Sequence, residues 1–343
     1  MSTMINNSEL YDALDLVGLG GDLTVATLST LEAVKGYRVA AARAEEMAGL
    51  IRERIGHFLG QKSFLTDADR TGIPVAAART GDDPEGVVEG AVPLAAMIET
   101  AGDVAAYWRG IGYPEEVIAG TLVDLGRQVR KTMAVTGRFG FGQADWIEMI
   151  WRGGFAQLGR LQFEITRSEL GRTTPGADGE LSGDRVGGGP DADQADQEDA
   201  PERGPLVLST HIAPIGSLGT DVVEESLGQA RPFFREHFAG LADEDGAFDK
   251  AVCHSWLLDA DLMARMPGSN MDLFSRRWTV WSRPVSDGSG IFFGFDRRFK
   301  DGERIGEILD ELPCDTRLHR TMIDLWRDGG HVHNCSGWLT LPQ

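Results

Sequence analysis

Apolar positions in the first 155 residues recur at helical spacing, and the period changes only near residue 159. The run "LTVATLSTLEAVKGYRVAAARAEEMAGLIRERIGHFL" is rich in Ala, Leu, Glu and Arg and free of proline, which predicts helix. "PEGVVEGAVPLAAMIETAGDVAAYWRGIG" and "YPEEVIAGTLVDLGRQVRKTMAVTG" continue in that style. In the latter, Pro114, Glu115 and Glu116 suit a first helical turn. Val117, Ile118, Leu122, Leu125 and Val129 follow on one face, the pattern of a helix that packs on a core.

"GRLQFEITR" (159–167) then alternates strictly, with Arg160, Gln162 and Glu164 on one side and Leu161, Phe163 and Ile165 on the other. That is a half-buried strand. "PLVLSTHIA" (205–213) reads as a second strand, "GSLGT" (216–220) as a turn, and 221–238 as a helix bent at Pro232. "AVCHSWLL" (251–258) reads as a strand, and "SNMDLFSRR" as a helix capped by Ser269 with Asp272 three residues on. "WTVWSRPV" and "GIFFGF" read as a strand pair joined by "SDGSG". "DTRLHRTMIDLWRDGG" reads as a helix ended by glycine, and "HVHNCSGWLTL" as a closing strand. The fold class is therefore α/β in the broad sense (α+β): an all-helical domain over 1–155, then a mixed-sheet domain over 156–343. Residues 171–204 carry no aromatic side chain and nine acidic against three basic residues, which predicts a disordered acidic insertion.

Composition narrows the function classes. The 343 residues are 42% apolar and 25% charged, ordinary for a globular chain. A net charge of −20, from 53 acidic and 33 basic residues, argues against a nucleic-acid partner and against docking on an anionic membrane. No run is long and apolar enough to span a bilayer, and "MSTMINNSELYDALDL" lacks the marks of a secretory signal, so a cytoplasmic location is expected. Cys253, Cys314 and Cys335 are too few and too irregular for a disulfide framework. A homodimer is compatible with the sequence.

Three stretches carry candidate chemistry. The turn at Gly216, Ser217, Gly219 and Thr220 feeds a helix N-terminus, whose backbone N–H groups and dipole suit a phosphate. The polar faces with Glu164 and with Ser209 and His211 would, if paired, place a carboxylate beside an imidazole for general acid–base work. In "HVHNC", His331, His333 and Cys335 alternate onto one side, but no CxxC-type pair supports a metal and none is expected. In "AVCHSWLLDADL", Cys253 and Ser255 share one face and His254 takes the other, so His254 cannot activate either neighbour.

Residues 120–164, together with "HIAPIGSLGTDVVEESLGQARPFF", "CHSWLLDADLMARMPGSNMDLFSRRW" and "LPCDTRLHRTMIDLWRDGG", resemble a group of bacterial two-domain acyltransferase-like proteins. These have a helical N-terminal domain and a GNAT-like C-terminal domain, and the likeness spans about residues 90–343. It implies an acyltransferase of N-acetyltransferase type that takes acetyl-CoA or another acyl-CoA as co-substrate and acylates an amine of a small molecule or protein. It further implies that splayed central strands admit the pantetheine, and that the turn before the next helix grips the pyrophosphate. By position, Ser209, Ala213, Gly216, Ser217, Gly219, Thr220 and Asn270 would bind the co-substrate. Glu164 or His211 would deprotonate the acceptor; the acid would be a tyrosine reaching in from the helical domain, or else Ser255 or Cys253, or there is none. The chain departs from the superfamily in two places. Its grip reads Pro214-Ile215-Gly216-Ser217-Leu218-Gly219 without the usual leading Gln or Arg, and all four tyrosines (Tyr11, Tyr37, Tyr107, Tyr113) precede the C-terminal domain. The alternatives are a non-catalytic CoA-binding or interaction protein on a degenerate GNAT fold, and a thiol enzyme built on Cys253.

Overall fold

The computed structural model describes residues 7–81, 83–168 and 204–343. It divides into two compact units, Met1–Gln157 and Leu158–Gln343. The first contains α1 (Asn7–Leu16), α2 (Thr24–Gly36), α3 (Arg38–Arg54), α4 (Asp67–Thr71), β1 (Ile73–Pro74), β2 (Val87–Val88), α5 (Ala91–Gly110), α6 (Glu115–Leu122), α7 (Asp124–Thr136) and α8 (Ala144–Trp151). Leu94, Met97, Ala101, Val104 and Trp108 of α5 are fully buried, and their spacing of three and four makes that helix the axis of the unit. α1, α2, α3, α4, α6 and α8 all pack against it.

Three long helical stretches are interrupted, one of them at Val123, which separates α6 from α7. The first breaks at Tyr37, whose ψ of 105° is extended, giving α2 and α3. In the stretch before α5, Val87 and Val88 pair with Pro74 and Ile73 as a two-stranded ribbon. At the predicted face of α6 and α7, Ile118, Leu122, Leu125 and Val129 are fully buried. Gly126 on that face donates its N–H to the Val17 carbonyl at 2.9 Å, and a Cβ there would collide with the carbonyl of Gly18. Only glycine permits this approach.

After β3 (Phe155–Leu158), which crosses the unit boundary, come β4 (Leu161–Arg167), β5 (Leu206–His211), α9 (Thr220–His237), α10 (Ala239–Ala242), β6 (Lys250–Ser255) and α11 (Ala260–Ala264). The chain ends with α12 (Asn270–Ser275), β7 (Thr279–Ser282), α13 (Asp287–Phe295), α14 (Ile305–Ile308), α15 (Arg317–Arg327) and β8 (Cys335–Thr340). The six strands are ordered β3-β4-β5-β6-β8-β7. β4 and β5 are antiparallel, β5 and β6 parallel, and β6 and β8 antiparallel, so the sheet is mixed. The acidic stretch falls almost wholly outside the described residues.

Three strand expectations are corrected. "GIFFGF" is helical, in α13, not a strand. Gly290 and Gly294, one turn apart, let α13 lie close on α15: a Cβ on Gly290 would sit 2.9 Å from Met322 Cε, and one on Gly294 3.2 Å from Met322 Sδ. "AVCHSWLL" leaves the sheet at Ser255, whose hydroxyl accepts from Leu257 N–H at 3.1 Å and starts a short 3-10 turn over Trp256–Leu258. The last strand begins at Cys335, so His331 and His333 precede it, His333 making an isolated bridge with Val285.

Candidate active site

Strand register decides which side chains meet. Gln162 lies opposite His211 and Glu164 opposite Ser209. Ser209 lies level with Val252, and His254 opposite Ser336. Because successive side chains alternate, Gln162, Glu164, Ser209, His211, His254 and Ser336 share one face of the sheet. The other face carries Phe163, Ile165, Leu208, Ala251 and Cys253, all fully buried.

On the polar face Glu164 and His211 touch, with Oε2 3.1 Å from Nε2. An imidazole that donates Nε2–H to a carboxylate carries its lone pair on Nδ1 and can take up a proton there. Beyond Thr210, the last residue of β5 paired with β6, His254 stands beside His211. Its Nδ1 is 2.9 Å from Ser336 Oγ, and its ring meets Trp281 edge-on at 5.9 Å. Burial, reinforced by the neighbouring His211, lowers the His254 pKa from 6.5 to about 4, so the ring is neutral at pH 7.

The depressed pKa has a consequence for stability. Below pH 6.5 the unfolded chain takes up a proton at this position and the folded chain does not, so stability falls as the pH drops toward 4. The contribution is ~2–3 kcal/mol over that window. Urea unfolding at pH 7 and pH 4.5 is expected to show a smaller acid loss in His254→Gln than in the wild type. Equal losses would overturn this account.

The turn after β5 brings together most of the expected co-substrate residues. Ile215 N–H donates to the Ala213 carbonyl at 2.8 Å, Gly216 has φ +57°, and Gly219 is the N-cap of the 18-residue α9, which Thr220 begins. Gly219 has no side chain with which to cap α9, and among the described residues the first-turn N–H groups are left to an anion. Asn270 Nδ2 donates to Ser217 Oγ at 2.6 Å, tying the start of α12 to the turn. Arg160, just before β4, donates from Nη1 to the Ala213 carbonyl at 2.8 Å and from Nε to the Ser217 carbonyl at 3.1 Å. Its backbone N–H donates to Ser226 Oγ of α9 at 2.8 Å. Alternation marked Arg160 as belonging to the polar face; its reach across 53 residues to the turn left no local signal.

The remaining candidates lie elsewhere. Ser255 falls on the face opposite His211 and its hydroxyl serves the 3-10 turn, so it does not join the Glu164–His211 pair. Cys253 is fully buried on that opposite face, and desolvation pushes its thiol far above the ordinary range, which removes it as a nucleophile. The "HVHNC" side chains do not converge: His331 Nδ1 bonds Asp287 at 2.7 Å, and His333 Nδ1 bonds Asp259 at 3.1 Å. Burial raises the Cys335 thiol to about 11. Asp259, Asp261 and His333 approach one another, but the Arg283 guanidinium sits on both carboxylates, at 3.0 and 2.8 Å, and supplies the balancing positive charge.

The comparisons agree with this architecture. Residues 8–153 match the model of an N-acyltransferase N-terminal domain, and residues 155–339 that of a GNAT-like C-terminal domain. No curated protein sequence matches the chain. An acyltransferase solved in complex with CoA and 10C-teicoplanin is 22% identical, with a TM-score of 0.71 over 99% of this chain and 90% of that one. An acyltransferase in complex with decanoyl-CoA and teicoplanin is also 22% identical, with a TM-score of 0.70 over 100% and 91%. A third, holding decanoyl-CoA, is 20% identical, with a TM-score of 0.69 over 98% and 89%. Among the described residues no helix is long and apolar enough to cross a membrane. A helical domain followed by a mixed sheet with an uncapped helix after its β5 strand, matched by both domain models, places the chain in the family of two-domain acyltransferases with a GNAT-like C-terminal domain.

Proposed function

We propose that the chain is an acyl-CoA-dependent acyltransferase that acylates an amine of a small molecule or protein. The observation that carries this reading is the Glu164–His211 pair, 3.1 Å apart, on β4 and β5, with the uncapped start of α9 following β5. The donors there fit an anionic co-substrate: backbone N–H groups at Gly219 and Thr220, and the Arg160 guanidinium, whose described partners are the carbonyls of Ala213 and Ser217.

His211 takes a proton from the acceptor ammonium, directly or through a water, and Glu164 orients the ring and stabilises it once charged. The freed amine lone pair attacks the thioester carbonyl, polarised by a backbone N–H of β5, and the carbon–sulfur bond breaks as the amide forms. The thiolate then takes a proton, so acyl-CoA and ammonium become amide, CoA thiol and one released proton. We assign this chemistry to a domain over residues 156–343, preceded by a helical domain over 1–155. We place the protein in the cytoplasm, where free thiols such as Cys253 and Cys335 persist.

Calorimetric titration with acetyl-CoA and decanoyl-CoA tests the reading. The second donor is included because structurally similar acyltransferases hold it. Saturable binding of at least one is expected. Absence of binding by any acyl-CoA would overturn the proposal.

A further inference from the structure

We propose that Arg160 is a positioning residue of the diphosphate grip, supplying from the turn before β4 the cation that the grip sequence lacks. This rests on the reading above that the turn at 213–220 holds the CoA diphosphate. Arg167, Arg277 and Arg283 each hold a carboxylate partner. Among the described residues Arg160 has no such partner: its Nη1 and Nε donate to the carbonyls of Ala213 and Ser217, and burial lowers its pKa with none of these carboxylates opposing that shift. Carbonyl dipoles satisfy a guanidinium's hydrogens without neutralising its charge. A half-buried cation left without a counter-charge is the complement of an anionic ligand.

The same two bonds orient the turn. Peptide units here are all trans, so the Ser217 carbonyl pointing at Arg160 turns the Leu218 N–H away from it. The backbone N–H of Arg160 also anchors this residue to Ser226, one turn and a half into α9. Arg160 thus fixes the turn and the helix start relative to each other. The usual motif places its Gln or Arg inside the turn; here the side chain comes from 53 residues earlier in the chain.

The test compares wild type, Arg160→Lys and Arg160→Gln on an acyl-CoA and on the matching acyl-pantetheine, which has no diphosphate. In Arg160→Gln the KM for acyl-CoA is expected to rise about tenfold with a much smaller change in kcat. The loss in kcat/KM is expected to be several-fold smaller on acyl-pantetheine. Arg160→Lys should recover the salt dependence of CoA binding without its full affinity, because the charge returns without the fork. Equal losses on both donors, or an unchanged KM in both variants, would overturn the assignment. A wild-type protein that binds no CoA would instead overturn the functional reading itself.

Discussion

Replacing His211 with alanine is expected to lower kcat for amine acylation by ~10²–10⁴-fold, the range a positioned general base supplies. The geometry sets the expectation. His211 is the imidazole held by a carboxylate on the polar face, with Nε2 3.1 Å from Glu164 Oε2. His254 cannot replace it, because burial holds that pKa near 4, and a base so weak captures little of an ammonium's proton at pH 7. Glu164→Gln keeps the shape of the pair and removes its charge, so the imidazole gains a proton with less stabilisation. A smaller loss, ~10–100-fold, follows. If the two act as one unit, the double variant falls little below His211→Ala alone. Steady-state kinetics at a fixed pH measure this: kcat should fall in His211→Ala while KM for the acyl-CoA stays near the wild-type value. Full turnover in the double variant would exclude the pair as the base.

The pairing behind that prediction was legible because strand alternation is a local property. Glu164 stood on the polar side of a strictly alternating run and His211 shared a face with Ser209 on the next strand, and two adjacent strands in antiparallel register were enough to bring them together. The turn at Gly216–Thr220 was legible for the same reason, since turn residues before an apolar-periodic run mark a helix start. What escaped depended on distant partners. "GIFFGF" has the composition of a strand, yet its glycines one turn apart accept Met322 of α15, a contact no local pattern encodes. The Ser255 hydroxyl caps the turn that ends β6, a bond that depends on where the strand leaves the sheet. The His254–Ser336 bond joins residues 82 apart. Side chains that act within their own element can be read from sequence, whereas those that act across the sheet require the register.

Gly219→Trp is expected to weaken acyl-CoA binding by ~100-fold or more, the equivalent of ~3 kcal/mol. The variant is informative because the fold should tolerate it. Gly219 has φ −55° and ψ 145°, a conformation open to any residue, and a Cβ there would find its nearest neighbour, Val222 Cγ2, at 3.8 Å. Gly216 would be a poorer choice: with φ +57°, any side chain strains the turn itself, and lost binding could not be separated from lost structure. At Gly219 the indole instead stands beside the uncapped first turn of α9, where its bulk obstructs a diphosphate approaching the N–H groups. Thermal unfolding should place the variant within a few degrees of wild type, while calorimetry shows affinity lost for acetyl-CoA and decanoyl-CoA alike, because both share the diphosphate. A folded Gly219→Trp protein that binds either donor as tightly as wild type would refute the placement of the grip, and the diphosphate would have to be sought elsewhere on the second unit.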